Sequence, residues 1–164
     1  MTEENIIKRG DGMSLEDYLK ANGVWFRLID KQSTVHTADA AAATGLSLER
    51  VTKSLVFIAD SSPVLAIIPG NCRVDISKFK SAVGAKDLKM VPFADAEKYS
   101  GYPPGATPPI FHKNIEKTVI DVRVMRHETV FGGGGSNTTL IELKPEDIQR
   151  LNNAMIADIA EVNK

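Results

Sequence analysis

Lys53-Ser54-Leu55-Val56-Phe57-Ile58-Ala59, then Asp60-Ser61-Ser62-Pro63, then Val64-Leu65-Ala66-Ile67-Ile68-Pro69, is the stretch on which the fold turns. Two apolar runs rich in β-branched residues flank four residues of turn composition, so residues 53–59 and 64–69 are expected to form a β-hairpin in the middle of the fold. Upstream, Ser47 and Arg50 begin a turn that leads into Val51 and Thr52. Before it, Thr37 reads as the cap of a short helix through the alanine run at residues 40–43, with Gly45 as its stop. Residues 24–29 suit a strand, and Trp25 within them reads as core. Ser14 reads as the N-cap of a helix over 14–22, with Asp17 in the first turn, Leu15, Tyr18 and Leu19 on one face, and Gly23 at its end. Residues 1–13, with Gly10 and Gly12 and little periodicity, read as a flexible lead-in.

Downstream, Asp75 precedes Ile76, Phe79 and Val83 at helical spacing, and Gly84 closes the segment, which predicts a helix over 76–83. A brief strand at 89–91 and a short helix at 94–99 follow. The run Gly101-Tyr102-Pro103-Pro104-Gly105-Ala106-Thr107-Pro108-Pro109 has four prolines in nine residues and must be a rigid loop. Residues 118–121, 128–131 and 138–143 read as strands, the last two joined across Gly132-Gly133-Gly134-Gly135-Ser136-Asn137. Pro145 suits a first helical turn, and Ile148, Leu151, Met155, Ile159 and Val162 then form one stripe, which predicts a helix to the C-terminus. The expected class is α+β: a single domain over 1–164 with a mixed, mostly antiparallel β-sheet or barrel surrounded by helices.

Composition narrows the function. A chain of 164 residues with 43% apolar content can build a core without staples. No apolar stretch approaches the roughly 20 residues that span a bilayer, and residues 1–5 are acidic where a leader peptide would be basic. These features predict a cytoplasmic protein without a membrane partner. Cys72 is the sole cysteine, so no internal disulfide or cysteine-based zinc cage can form; it reads as a packed thiol. His36, His112 and His127 have no helical metal-pair spacing, and no metal or cofactor is expected. Twenty basic and twenty-one acidic residues leave a net charge of -1. Any RNA contact should therefore be confined to one end or one pocket.

Three features can carry chemistry. Lys53 enters an apolar strand from a polar turn, so it either snorkels outward at a strand edge or sits in a pocket. The glycine run at 132–135 either exposes successive N–H groups to an anion or is a loose hairpin tip. The loop at 101–109 is either a rigid recognition wall or a plain corner. His36 and His112 flank segments near these loops, where a proton relay or an RNA contact is open to them.

The order of these features resembles the YbaK family of aminoacyl-tRNA editing domains, also called the prolyl-tRNA synthetase-associated domain. The resemblance rests on Thr44-Gly45-Leu46-Ser47-Leu48-Glu49-Arg50-Val51-Thr52-Lys53-Ser54-Leu55-Val56-Phe57, then Ala66-Ile67-Ile68-Pro69-Gly70 and Val74-Asp75, the loop at 101–109, Thr118-Val119-Ile120-Asp121, and Gly133-Gly134-Gly135. It covers about residues 30–152. It implies that Lys53 is the family's essential lysine, holding the terminal adenosine of a tRNA or its ester. Gly133 and Gly134 would then supply backbone contacts near the scissile carbonyl. Gly101, Gly105, Ala106, Pro108 and Pro109 would form the aminoacyl pocket, with His36 and Asp121 as further substrate contacts. Asp75 and Asp121 also read as a helix cap and a turn brace.

Two departures from the family pattern are Ala106 and Phe111, where many members carry glycine; the added bulk is expected to narrow or reshape the pocket. The implied activity is a free-standing hydrolase that removes a mis-attached amino acid, alanine or cysteine on proline tRNA, using water, the substrate's own ribose hydroxyl and backbone donors. The partners so implied are the aminoacylated 3′ end of a tRNA and an aminoacyl-tRNA synthetase. A non-catalytic binder of aminoacyl-adenosine or nucleotide, and a synthetase-docking module, are the alternatives. The sequence specifies no oligomeric state.

Overall fold

Strands β2 (Thr52–Ala59) and β3 (Ser62–Pro69) pair antiparallel with Ala59 opposite Ser62. The turn narrows from the four residues expected to two, because Ser62 and Pro63 join the ladder. Asp60 and Ser61 close it at φ 47° and 79°, the doubly left-handed geometry that matches the twist of two paired strands. The Asp60 carboxylate compensates locally by accepting the N–H groups of Lys86 and Asp87. The computed structural model describes residues 6–163; the acidic start at residues 1–5 lies outside them.

The hairpin is apolar throughout because it is buried on both faces. Leu65 and Ile67 join Val56, Ile110 and Ile141 in one core, while the alternate residues Val64, Ala66 and Ile68 join Phe57, Phe79 and Val119 in a second. The period of two thus survives as a division between two cores. Three further strands extend the sheet: β5 (Leu88–Met90) beside β2, and β6 (Lys117–Asp121) and β9 (Met155–Ala157) beyond β3, in the order β5-β2-β3-β6-β9. Here β3, β6 and β9 run parallel. A second sheet has the order β1-β8-β7, built from β1 (Phe26–Asp30), β8 (Thr139–Leu143) and β7 (Val130–Gly133), all antiparallel. A third pairs β4 (Cys72–Val74) with β10 (Ala160–Val162).

The mixed, mostly antiparallel α+β expectation therefore holds, but the barrel does not. Among the described residues the first two sheets meet through one isolated parallel bridge, Val51 to Phe131, so no ring of strands closes.

Helices α1 (Leu15–Ala21) and α3 (Ile76–Val83) start where sequence places them. Ser14 accepts the Asp17 N–H and Asp75 accepts the Lys78 N–H. Helix α2 (Thr37–Thr44) has His36, not Thr37, at its N-cap, and no side chain caps it. A short α4 (Glu97–Ser100) leads into the proline loop.

The C-terminal expectation is overturned. Helix α5 (Pro145–Asn152) stops because Asn153 turns left-handed at φ 49°, a conformation asparagine tolerates, and the chain then forms β9 and β10. The helical spacing of Met155, Ile159 and Val162 is outweighed by open backbone on β6 and β4, which these residues complete. Trp25 is also corrected: it is 47% exposed and lies outside the core. Residues 6–13 lack regular structure, yet Ile7 exchanges hydrogen bonds with the Asn22 side chain, and Arg9 donates to the Phe111 carbonyl at 2.7 Å.

Candidate active site

Alternation along β2 puts Lys53 on the same face as Leu55 and Phe57, toward the second core, at the end where that core gives way to a cleft. The Lys53 ammonium donates to the Cys72 carbonyl at 2.9 Å, and burial holds its pKa below the usual lysine range. The cleft measures about 560 Å³, within the roughly 300–1,000 Å³ typical of small-molecule sites. Its walls bring Lys53, Gly105, Gly133 and His36 together, with Thr107 and Gly70 beside them.

Glycine is required at each of these walls by close backbone approach. A methyl group added at Gly133 would lie 2.5 Å from the Thr107 carbonyl oxygen. One added at Gly70 would lie 2.5 Å from the Val51 carbonyl. At Gly105, φ is 84° and the added group would lie 2.6 Å from the Val35 carbonyl. The β7–β8 ladder also orients Gly133. Gly134 donates its N–H to the Thr139 carbonyl at 2.9 Å, so the alternate residue Gly133, opposite Leu140, occupies a non-hydrogen-bonded position. Its N–H and C=O point away from β8, toward the side on which β7 meets Val51.

Other expected site residues lie elsewhere. The Gly134 N–H is committed to Thr139, and Gly134 does not line the cleft. Gly101 packs near Lys113 and Arg9. Ala106 is fully buried, as are Pro108 and Pro109 to the point of leaving the cleft surface. They build the wall from behind: the Pro108 carbonyl accepts from His112 at 2.7 Å, and the Pro109 carbonyl accepts from Asn152 at 2.8 Å. Burial lowers the His112 pKa to about 4, so the neutral ring donates from Nε2 at physiological pH.

Asp121 is also far from solvent, at 0% exposure. Its carboxylate accepts the N–H groups of Arg123 and Ile159 and pairs with the Arg123 guanidinium at 3.0 Å. The turn-bracing reading of Asp121 and the capping reading of Asp75 both match these contacts.

The two departures likewise fall behind the wall. Phe111 sits at φ 67°, where glycine would be unstrained, and its ring packs 4.8 Å from Tyr18 under the Arg9 guanidinium. Neither it nor Ala106 lines the cleft, so neither side chain meets its surface directly.

The cleft is electrostatically one-sided. Among the described residues, Lys53 and Arg73 line it and no Asp or Glu does, in a chain whose overall charge is -1. Thr37 and Ala38 bring the uncapped N-terminus of α2 to the same wall, adding partial positive charge. Sequence reading missed Arg73, Phe93 and Thr107. Thr107 was hidden inside the proline loop, and Arg73 and Phe93 reach the cleft only through tertiary contact. Among the described residues, no group of three His, Cys, Asp or Glu could hold a metal ion, and no helix is long and apolar enough to cross a membrane.

Known proteins place the chain. The profile of the aminoacyl-tRNA editing domain matches residues 32–151, and the chain belongs to that family. It is 32% identical over 127 residues to EbsC of Enterococcus faecalis, described as a candidate Cys-tRNA(Pro)/Cys-tRNA(Cys) deacylase, covering 76% of this chain and 77% of that protein. Over 81 residues it is 38% identical to the proline–tRNA ligase of Limosilactobacillus fermentum, covering 46% of this chain but 14% of the ligase. The crystal structure of the hypothetical protein APE2540 superposes with a TM-score of 0.83 at 29% identity, covering 90% of this chain and 99% of that one. A structure described as a candidate trans-editing enzyme for prolyl-tRNA synthetase superposes with a TM-score of 0.74 at 26% identity, over 83% of this chain and 87% of that one.

Proposed function

We propose that this chain is an aminoacyl-tRNA deacylase that removes alanine or cysteine from proline tRNA. One observation carries the reading: Lys53, Gly105 and Gly133 share a single cleft of about 560 Å³ whose charged lining, among the described residues, is basic. The family membership and the described substrate of EbsC support it. The similarity to segments of proline–tRNA ligases supports a synthetase as the source of mischarged substrate or as a docking partner.

In this reading the Lys53 ammonium, anchored on the Cys72 carbonyl, faces the anionic terminal nucleotide. The Gly133 N–H is the donor to the carbonyl oxygen, on which negative charge develops. Water attacks the ester carbonyl and the C–O bond to the ribose breaks. The water proton passes by way of the neighbouring ribose hydroxyl to the leaving oxygen, giving free amino acid and an intact tRNA 3′ end. The backbone walls admit small side chains and exclude larger ones by contact with fixed main-chain atoms.

The test is a panel of mischarged tRNAs, varying first the amino acid and then the tRNA body. Release of alanine or cysteine from proline tRNA well above that of Lys53→Ala is expected. Equal rates for both proteins would remove the claim. Tight binding of an aminoacyl-adenosine analogue without turnover would favour the non-catalytic binder.

A further inference from the structure

The rim of the cleft carries apolar surface that ester hydrolysis does not use. Phe93 is 48% exposed although it is the largest apolar side chain of its turn, and Met90 and Ile76 beside it are 53% and 46% exposed. The Phe93 ring stands nearly parallel to that of His36, with 18° between planes and 6.1 Å between centroids. His36 holds the N-cap position of α2 yet makes no side-chain capping bond, so its ring is not recruited to the helix end. Phe93 is presented by a single 3₁₀ turn, Phe93–Asp95, that follows Pro92. Two elements far apart in sequence therefore set two flat rings face to face beside a basic cleft.

We propose that His36 and Phe93 form a stacking site for an unpaired nucleobase at the single-stranded 3′ end of an RNA. Flat aromatic faces next to cationic groups suit a base joined to its phosphate, since every base offers a π-face and the backbone supplies the anion. Arg73 is the cation available to that phosphate. It lines the cleft, and among the described residues its acidic partner is Glu161 at 2.5 Å, with side-chain exposures of 64% and 44%. An exposed pair of this kind is weak enough to yield to a phosphate. An apolar peptide would find the rim but not use the basic lining; an inorganic anion would use the lining but not the rings. This inference rests on reading the cleft as the site for an aminoacylated RNA end, and it assigns the base a place outside the reacting centre.

The probe is the trinucleotide CCA with 2-aminopurine in place of the terminal adenine, whose fluorescence is quenched by stacking. Wild-type protein is expected to quench it on binding, and Phe93→Tyr to do the same. Phe93→Leu should lose the quench and raise Kd roughly 5- to 150-fold, the loss of one base stack. Circular dichroism would establish that each variant is folded. Binding by Phe93→Leu within twofold of wild type, or no binding by wild type, overturns the inference. Adenosine monophosphate binding as tightly as the trinucleotide would overturn the RNA-end assignment in favour of a mononucleotide. Deacylation is scored separately. Turnover without Phe93-dependent quenching removes the stacking site and leaves the deacylase standing, whereas Phe93-dependent quenching without turnover does the reverse.

Discussion

The Lys53 ammonium is held at 2.9 Å by the main-chain carbonyl of Cys72, a residue whose own side chain is fully buried in the second core. The anchor is therefore set by the path of the backbone entering β4, and the thiol contributes packing and a weak 3.6 Å bond to Asn71 Oδ1.

This separates two substitutions. Cys72→Ala should cost about 1 kcal/mol through lost packing and leave deacylation intact. Lys53→Ala should lower kcat/KM roughly 10- to 150-fold, as loss of a charge-assisted contact to the terminal nucleotide does. Thermal melts and single-turnover rates of both variants check the pair.

Gly133→Ala should both destabilise the protein and block the cleft, because the added methyl meets main-chain atoms of Thr107 and Ala106 that cannot move aside. A cost of roughly 1–3 kcal/mol is expected. Gly135→Ala is the control. It is strained by φ 97°, but among the described residues an added methyl meets just Tyr102, at 3.6 Å, so it should lose comparable stability while activity per folded molecule persists. Urea midpoints set against initial rates would show the contrast.

Asp121→Ala should be severe for folding and mild for catalysis. It leaves Arg123 without its buried partner and the Ile159 N–H without an acceptor. A loss of about 3–5 kcal/mol is expected, with KM of the folded fraction near wild type. A raised KM at unchanged stability would instead make Asp121 a substrate contact.

His112 predicts a pH effect. The unfolded chain takes up its imidazole proton near 6.5 whereas the folded chain resists until about 4. Between those values the unfolded state binds more protons, so stability falls as pH falls, by up to roughly 3 kcal/mol at the low end. Above about 6.5 this contribution is constant. His112→Asn should show a shallower loss over the same window in pH-dependent denaturation, and parallel curves would refute the assignment.

Much of this was legible along the chain because it depends on neighbours in sequence. The central hairpin follows from turn residues between apolar runs, α1 and α3 from Ser14 and Asp75 accepting N–H groups three residues on, and the rigid wall from four prolines. The motif order likewise put Lys53, Gly105, Gly133 and His36 among the candidates, and all four line one cleft. What required the third dimension was each choice between competing partners. Residues 155–162 have helical spacing, yet they pair as strands because β6 and β4 offer open backbone. Pro108, Pro109 and Ala106 were expected at the pocket surface, but close packing needs a layer behind the surface, and they supply it. Arg73 and Phe93 carry no local signal, since a charge or ring becomes part of a site only when a distant segment folds against it. Local steric and hydrogen-bonding preferences thus wrote the elements, and the competition to bury apolar surface and satisfy backbone donors over long range decided which residues meet.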